Sequence, residues 1–194
     1  MTNRTASISR QTKETQIELK LDLDSTDVST IKTGIGYFDH NLDLLTFHGE
    51  FQLDLDVNGD LEVDDHHTVE DVGISLGQAV KTAIGDRKGI NRYGSCRLPM
   101  DETLVSVDLD LSNRGYLVFN GEFTREMIGD FSTEMVHEFL YSFAINAGIT
   151  LHVNIEYGRN NHHMVEAIFK GLGRALNMAK VQNSDRLPST KGVL

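Results

Sequence analysis

The peptide His66-His67-Thr68-Val69-Glu70 returns 96 residues later as His162-His163-Met164-Val165-Glu166, each time at the head of a stretch with helical apolar periodicity. The repetition reaches beyond these peptides. Glu14 to Asp24 alternates apolar and polar residues as a half-buried strand does, and Glu102 to Ser112 repeats the pattern 88 residues on. A helical stretch follows in each half, residues 37–48 with His40 and residues 132–146 with His137. Next come strands over 51–57 and 150–157. Last are the helices that begin at the two His-His peptides and run on through Ile74, Leu76, Val80 and Ile84, or through Ile168, Leu172, Leu176 and Met178.

His40 precedes His66 by 26 residues and His137 precedes His162 by 25, so the order strands, helix, strand, helix occurs twice at matching spacing. This reads as a tandem duplication of one unit, with repeats over about 1–90 and 91–194 in a single domain. The joint falls at Gly85 to Gly94, where both periodicities break. Two amphipathic helices on one face of a sheet give an α+β two-layer sandwich. Neither half looks self-sufficient, and the last residues, from Arg186, carry no core pattern.

The doubled peptide also carries chemistry. At about 100° per residue, Glu70 lies roughly 40° round the helix from His66 and 60° from His67, so it can share a face with either. Adjacent histidines, about 100° apart, do not easily reach one ion. Each copy can therefore offer a His and a Glu to one metal and its second His to another, which is the layout of a two-metal site. His40, His66, His67, Glu70, His137, His162, His163 and Glu166 form this set, leaving only His48 and His152 of the eight histidines outside. Three imidazoles and one carboxylate per ion suit manganese(II), iron(II) or zinc. A single histidine is more often a core or capping residue, but a duplicated set points to metal.

Composition narrows the partners. Hydrophobic residues at 39% and charged ones at 24% describe an ordinary globular chain. No apolar run approaches the roughly 20 residues of a membrane helix, and the first residues lack the apolar segment of a signal peptide, so a cytoplasmic location is expected. Cys96 is the only cysteine, which leaves any metal to nitrogen and oxygen ligands. A net charge of −11 argues against nucleic acid or an anionic membrane as partner. It leaves room for a small anion, because two divalent ions would dominate the local field.

Among carboxylates, Glu14 and Glu102 stand at the starts of equivalent strands, where a side chain can reach into a cleft for proton transfer. Asp65, Asp71 and Asp101 flank the motifs, and Asp65 or Asp71 can orient a ligand histidine through its other N–H. Arg92, Arg97, Arg114, Lys170 and Lys191 are the basic candidates, and Ser189-Thr190-Lys191-Gly192 can wrap a phosphate with hydroxyls, N–H groups and an ammonium. There is no phosphate-binding glycine loop of the usual kinds and no Ser-His-Asp or Cys-His nucleophile.

Taken in order along the chain, Arg10 to Thr15, Phe38-Asp39-His40, HHTVEDVG at 66–73, GINRYG at 89–94, PMDET at 99–103, HHMVEA at 162–167 and PSTKG at 188–192 resemble the imidazoleglycerol-phosphate dehydratases. The resemblance implies dehydration of D-erythro-imidazole-glycerol phosphate to imidazole-acetol phosphate in histidine biosynthesis, with two Mn(II) ions. It further implies a duplicated α/β half-domain, oligomers of 24 subunits built from trimers, and active sites between subunits. On the matched motifs, the eight residues above are the metal ligands, and Arg92, Arg114, Lys170, Ser189 and Lys191 hold the substrate phosphate. Glu14 is the acid/base, supplied by a neighbouring subunit. Leu44 stands where many members carry Gln, and Thr190 where Ser is common. A second, phosphatase activity of bifunctional relatives is not expected.

Two other readings fit the ligand set. A dinuclear metallohydrolase would attack a small phosphorylated substrate with bridging hydroxide, although such sites lean on bridging carboxylates more than on histidine. A metal-storage or sensor protein would need neither the Pro-Ser-Thr-Lys-Gly peptide nor the arginine pair. A metal that ties subunits together is a further, secondary role.

Overall fold

The computed structural model describes residues 4–194. Its first half contains β1 (Thr5–Gln11), β2 (Thr15–Asp22), β3 (Thr30–Lys32), α1 (Gly36–Gly49), β4 (Gln52–Gly59) and α2 (His66–Ile84). The second half holds β5 (Tyr93–Met100), β6 (Thr103–Asp110), β7 (Tyr116–Asn120), the short strands β8 (Met127–Ile128) and β9 (Phe131–Ser132), α3 (Met135–Ala147), β10 (Thr150–Tyr157) and α4 (Asn161–Lys180). The sheets have matching orders, β1-β2-β4-β3 and β5-β6-β10-β7. In each, one short edge strand runs parallel to its neighbour, β3 to β4 and β7 to β10, while the other pairs are antiparallel. The β8-β9 hairpin has no counterpart among the described residues of the first half.

Period-two patterning sets which face each central strand buries. Ile17, Leu19 and Leu21 of β2 point inward, with Glu18 and Lys20 exposed between them, and Val105, Val107 and Leu109 do the same in β6. Leu19 lies opposite Leu55 of β4, and Val107 opposite Val153 of β10, so apolar rows continue across each sheet. α1 and α3 end on left-handed residues, Glu50 (φ 49°) and Gly148 (φ 66°).

Each unit is a sheet covered by helices, and the two units meet through those helices. α2 lies on β1 and β2 of its own sheet and crosses α3, while α4 lies on β5 and β6 and crosses α1. Every helix pairing between the halves therefore joins one unit to the other. Phe38 of α1, Phe139 of α3 and Phe169 of α4 are fully buried, with ring centroids 5.4 Å apart for the first two and 5.1 Å for the last two. These rings form one core from both repeats.

The crossings are close because glycine occupies them. A Cβ on Gly77 of α2 would sit 2.7 Å from the Phe143 carbonyl oxygen of α3. At the repeat-equivalent Gly173 of α4 it would sit 2.6 Å from the Leu45 carbonyl oxygen of α1.

The end of α4 is pinned by Lys180, whose ammonium donates to the carbonyls of Leu23 (2.6 Å) and Glu50. Burial, aided by Arg4 nearby, pushes this lysine down to about 8. With the folded value below the unfolded one, both states are protonated under pH 8 and the fold bears the full cost of the buried charge. Between about pH 8 and 10.5 the folded state releases its proton first, so stability should rise with pH by up to roughly 3 kcal/mol. Urea midpoints measured across this range should rise in the wild type and stay flatter in Lys180→Met; parallel curves would exclude Lys180 as the source.

Candidate active site

The starts of the two long helices carry the histidine pairs. Asn160 caps α4, its side-chain oxygen accepting the His162 N–H at 3.0 Å. His162 then faces His40 of α1, and both rings approach the same Glu166 oxygen, Oε1, at 2.9 Å. Lys170, one turn further on, donates to Glu166 Oε2 at 2.7 Å. Burial alone would raise the Glu166 carboxyl, but the Lys170 ammonium and the His40 and His162 rings outweigh it and hold it at about 2. Tyr37 donates its hydroxyl to the His162 carbonyl at 2.9 Å, with its ring 4.8 Å from that of His162.

One donor atom each from His40, His162 and Glu166 lies within 4.8 Å of the other two, the only such set among the described residues. The set fits a transition-metal ion by its chemistry: two imidazole nitrogens and an ionised carboxylate, with no thiolate. Repetition makes His137, His66 and Glu70 the matching trio, yet among the described residues they do not close into a donor set. His137 stacks on Tyr141, ring planes 8° apart, and meets the edge of Phe119. The His66 N–H donates to Asp64 at 2.9 Å, and its side chain borders a cleft lined by Asp65, Asp130 and Glu134.

The second histidine of each pair faces a carboxylate. His67 Nδ1 lies 3.0 Å from Asp60 Oδ2, and this contact raises its pKa. Its Nε2 lies 3.9 Å from Glu14 Oε1. His163 Nδ1 lies 2.9 Å from Glu102 Oε2, while Asp101 stands 4.0 Å from its Nε2. The His163 ring, followed by backbone N–H donors, draws the Glu102 carboxyl down to about 2.

Asp65 and Asp71 were the sequence-based candidates for orienting histidines, and neither does so. Asp65 accepts the Ser132 N–H at 2.6 Å, and Asp71 is held by Arg10 (2.7 Å) and the Thr15 hydroxyl. Asp60 was not singled out, because the turn that returns it to His67 leaves no local spacing signal.

The basic candidates fall into two groups. Arg92 donates to both Asp110 oxygens (2.7 and 3.0 Å) and to the Pro188 carbonyl (2.7 Å), so it anchors the C-terminal peptide that carries Ser189 and Lys191. Its backbone is left-handed (φ 76°), a conformation this fork and the N–H bond to the Ala179 carbonyl hold in place. Arg114 is 4.0 Å from Asp110 and mostly exposed. Lys170 lies instead beside Glu166. Ala179 is 13 residues beyond Glu166 on α4, about 20 Å of helix rise, so the arginines and tail stand at the far end of α4 from the His40, His162 and Glu166 set.

The fold and the chain have known counterparts. A family model described as imidazoleglycerol-phosphate dehydratase matches residues 33–176. Imidazoleglycerol-phosphate dehydratase of Clostridium botulinum is 54% identical over 100% of both chains, and that of Rhodopseudomonas palustris 55% identical over 98% of both. The crystal structure of imidazoleglycerol-phosphate dehydratase from Staphylococcus aureus aligns with a TM-score of 0.85 at 40% identity, covering 92% of this chain and 99% of that one. That from Pyrococcus furiosus aligns at 0.84 and 35%, covering 96% and 100%. The chain is thus an enzyme of the hydro-lyase class, built on a doubled α+β unit. It belongs to the imidazoleglycerol-phosphate dehydratase family.

Proposed function

We propose that the protein dehydrates D-erythro-imidazole-glycerol phosphate to imidazole-acetol phosphate, a step of histidine biosynthesis, with two divalent ions, manganese(II) foremost, in each active site. The observation that carries this reading is the His40, His162 and Glu166 set, whose donors face one another within 4.8 Å. These residues would hold one ion, and His66, His67, Glu70, His137 and His163 supply the remaining ligands. When bound, the ions supply stabilisation of a substrate imidazole that has lost its N–H, which makes the ring an electron sink.

The reaction breaks the C–O bond beside the ring and the C–H bond of the next carbon, releasing water and an enol that ketonises. Glu14, 51% exposed and 3.9 Å from His67 Nε2, is the group for the C–H proton. Arg92, Arg114, Ser189 and Lys191 hold the phosphate and so orient the reacting carbons, as Lys170 does from the metal side. A three-carbon substrate cannot span the length of α4 that separates these groups. This distance supports active sites assembled between subunits of a homo-oligomer; the family resemblance makes that assembly one of 24.

The test is to strip the protein of metal, add imidazole-glycerol phosphate, then manganese, and follow the enol-type product. Turnover is expected only after the metal. Turnover without metal would remove the metal from the proposal, and release of inorganic phosphate would replace dehydration with dinuclear hydrolysis.

A further inference from the structure

The two repeats have not kept the same arrangement around their second histidine. Glu14 and Glu102 occupy equivalent positions, each immediately before the threonine that opens the second strand of its unit. Glu102 is bound: it accepts from His163 Nδ1 at 2.9 Å and from the Asn160 N–H at 2.8 Å. Glu14 makes neither contact. Its carboxylate lies on the Nε2 side of His67, while Nδ1 is taken by Asp60.

The reason lies just past the last strand of each unit. Gly59 and Gly158 correspond, because β10 takes up one extra residue at the bulge between Ile155 and Tyr157 and a Cβ on either glycine would meet the matching helix residue, Thr68 or Met164; Asp60 therefore corresponds to Arg159. The second copy therefore carries an arginine where the first carries the carboxylate that serves His67.

We infer that the duplicated units have divided one task between unlike residues: Asp60 orients His67, Glu102 orients His163, and of the two equivalent glutamates only Glu14 remains free for proton transfer. Each carboxylate accepts the Nδ1–H of its histidine, which orients the ring and leaves Nε2 to face outward as the ligand atom. Asp60 and Glu102 are positioning residues. They act on the substrate only through their histidines. This inference rests on the metal reading above, and its test separates the two.

Metal-stripped, full-length wild type, Asp60→Ala, Glu102→Ala and Glu102→Gln should be titrated with Mn(II) and read by electron paramagnetic resonance. In parallel, nitrogen-15 spectra of histidine-labelled protein report the tautomers. Each alanine variant is expected to lose about 10- to 100-fold in affinity for manganese. Glu102→Gln, whose amide oxygen still accepts from Nδ1, should recover most of that loss. Asp60 bonds through its carboxylate to no other side chain among the described residues, so Asp60→Ala checks the idea even if Glu102→Ala loosens the start of α4. Wild-type affinity in both alanine variants overturns the inference, as does finding His67 and His163 protonated on Nε2. Wild type that binds no manganese overturns the metal reading instead, and the tautomer spectra still decide the orienting roles.

Discussion

Glu14→Gln is expected to lower turnover by roughly 10²- to 10⁴-fold, the usual contribution of a positioned acid or base. Manganese and substrate affinities should stay near wild type, because Glu14 is neither a member of the donor set nor of the arginine and tail group. The substitution is structurally mild. The Glu14 N–H is held by the Thr12 hydroxyl at 3.1 Å and its carbonyl accepts the Asp60 N–H at 3.1 Å, so the backbone of the β1–β2 turn is fixed without the carboxylate. Steady-state kinetics beside substrate binding to the loaded protein gives the answer. Full activity in the variant would pass the proton-transfer role to another group, with Asp101 the next exposed carboxylate beside a repeated histidine.

The second large effect concerns folding. Gly77→Val and Gly173→Val should each lower stability by roughly 3 kcal/mol, at the upper end of overpacking costs. Better helix propensity returns at most about 1 kcal/mol. The groups met at the crossings are backbone: the Phe143 oxygen and Ala147 nitrogen for Gly77, the Leu45 oxygen and Gly49 nitrogen for Gly173. They move only if a whole helix moves. Thermal midpoints should drop by roughly 6–12 °C at this chain length. Gly36→Ala is the control, since its Cβ would meet nothing within 4 Å. Unaltered midpoints in the valine variants would mean that the helices separate at little cost.

The parts legible in the amino-acid order are those with strong periodicity. β2, β4, β6, β10 and the four helices follow from alternating or helical apolar patterns, and the repeat assigned them to equivalent places. The outer strands did not show. β1 carries Ser7, Ser9 and Arg10 and has a single buried residue, Ala6, while β5 includes Gly94 and Pro99. An edge strand with one neighbour tolerates such residues and is recognised only beside its partner. The ligand peptides were visible because a helix turn brings a histidine and a glutamate to one face. The orienting role of Glu102 was not, since Glu102 and His163 stand 61 residues apart, with β6 to β10 and α3 between them, and meet only in the fold.

The exchange of helix partners also bears on synthesis. Leu42 and Leu45 of α1 are covered by α4, whose last residue is Lys180, so nearly the whole polypeptide must leave the ribosome before the N-terminal half can bury its apolar helix face. A nascent chain halted after Ile84 exposes that face to every other unfinished chain nearby, which is where chaperones earn a place. Two ancestral copies made separately would have met by diffusion, and joining them end to end made that encounter intramolecular.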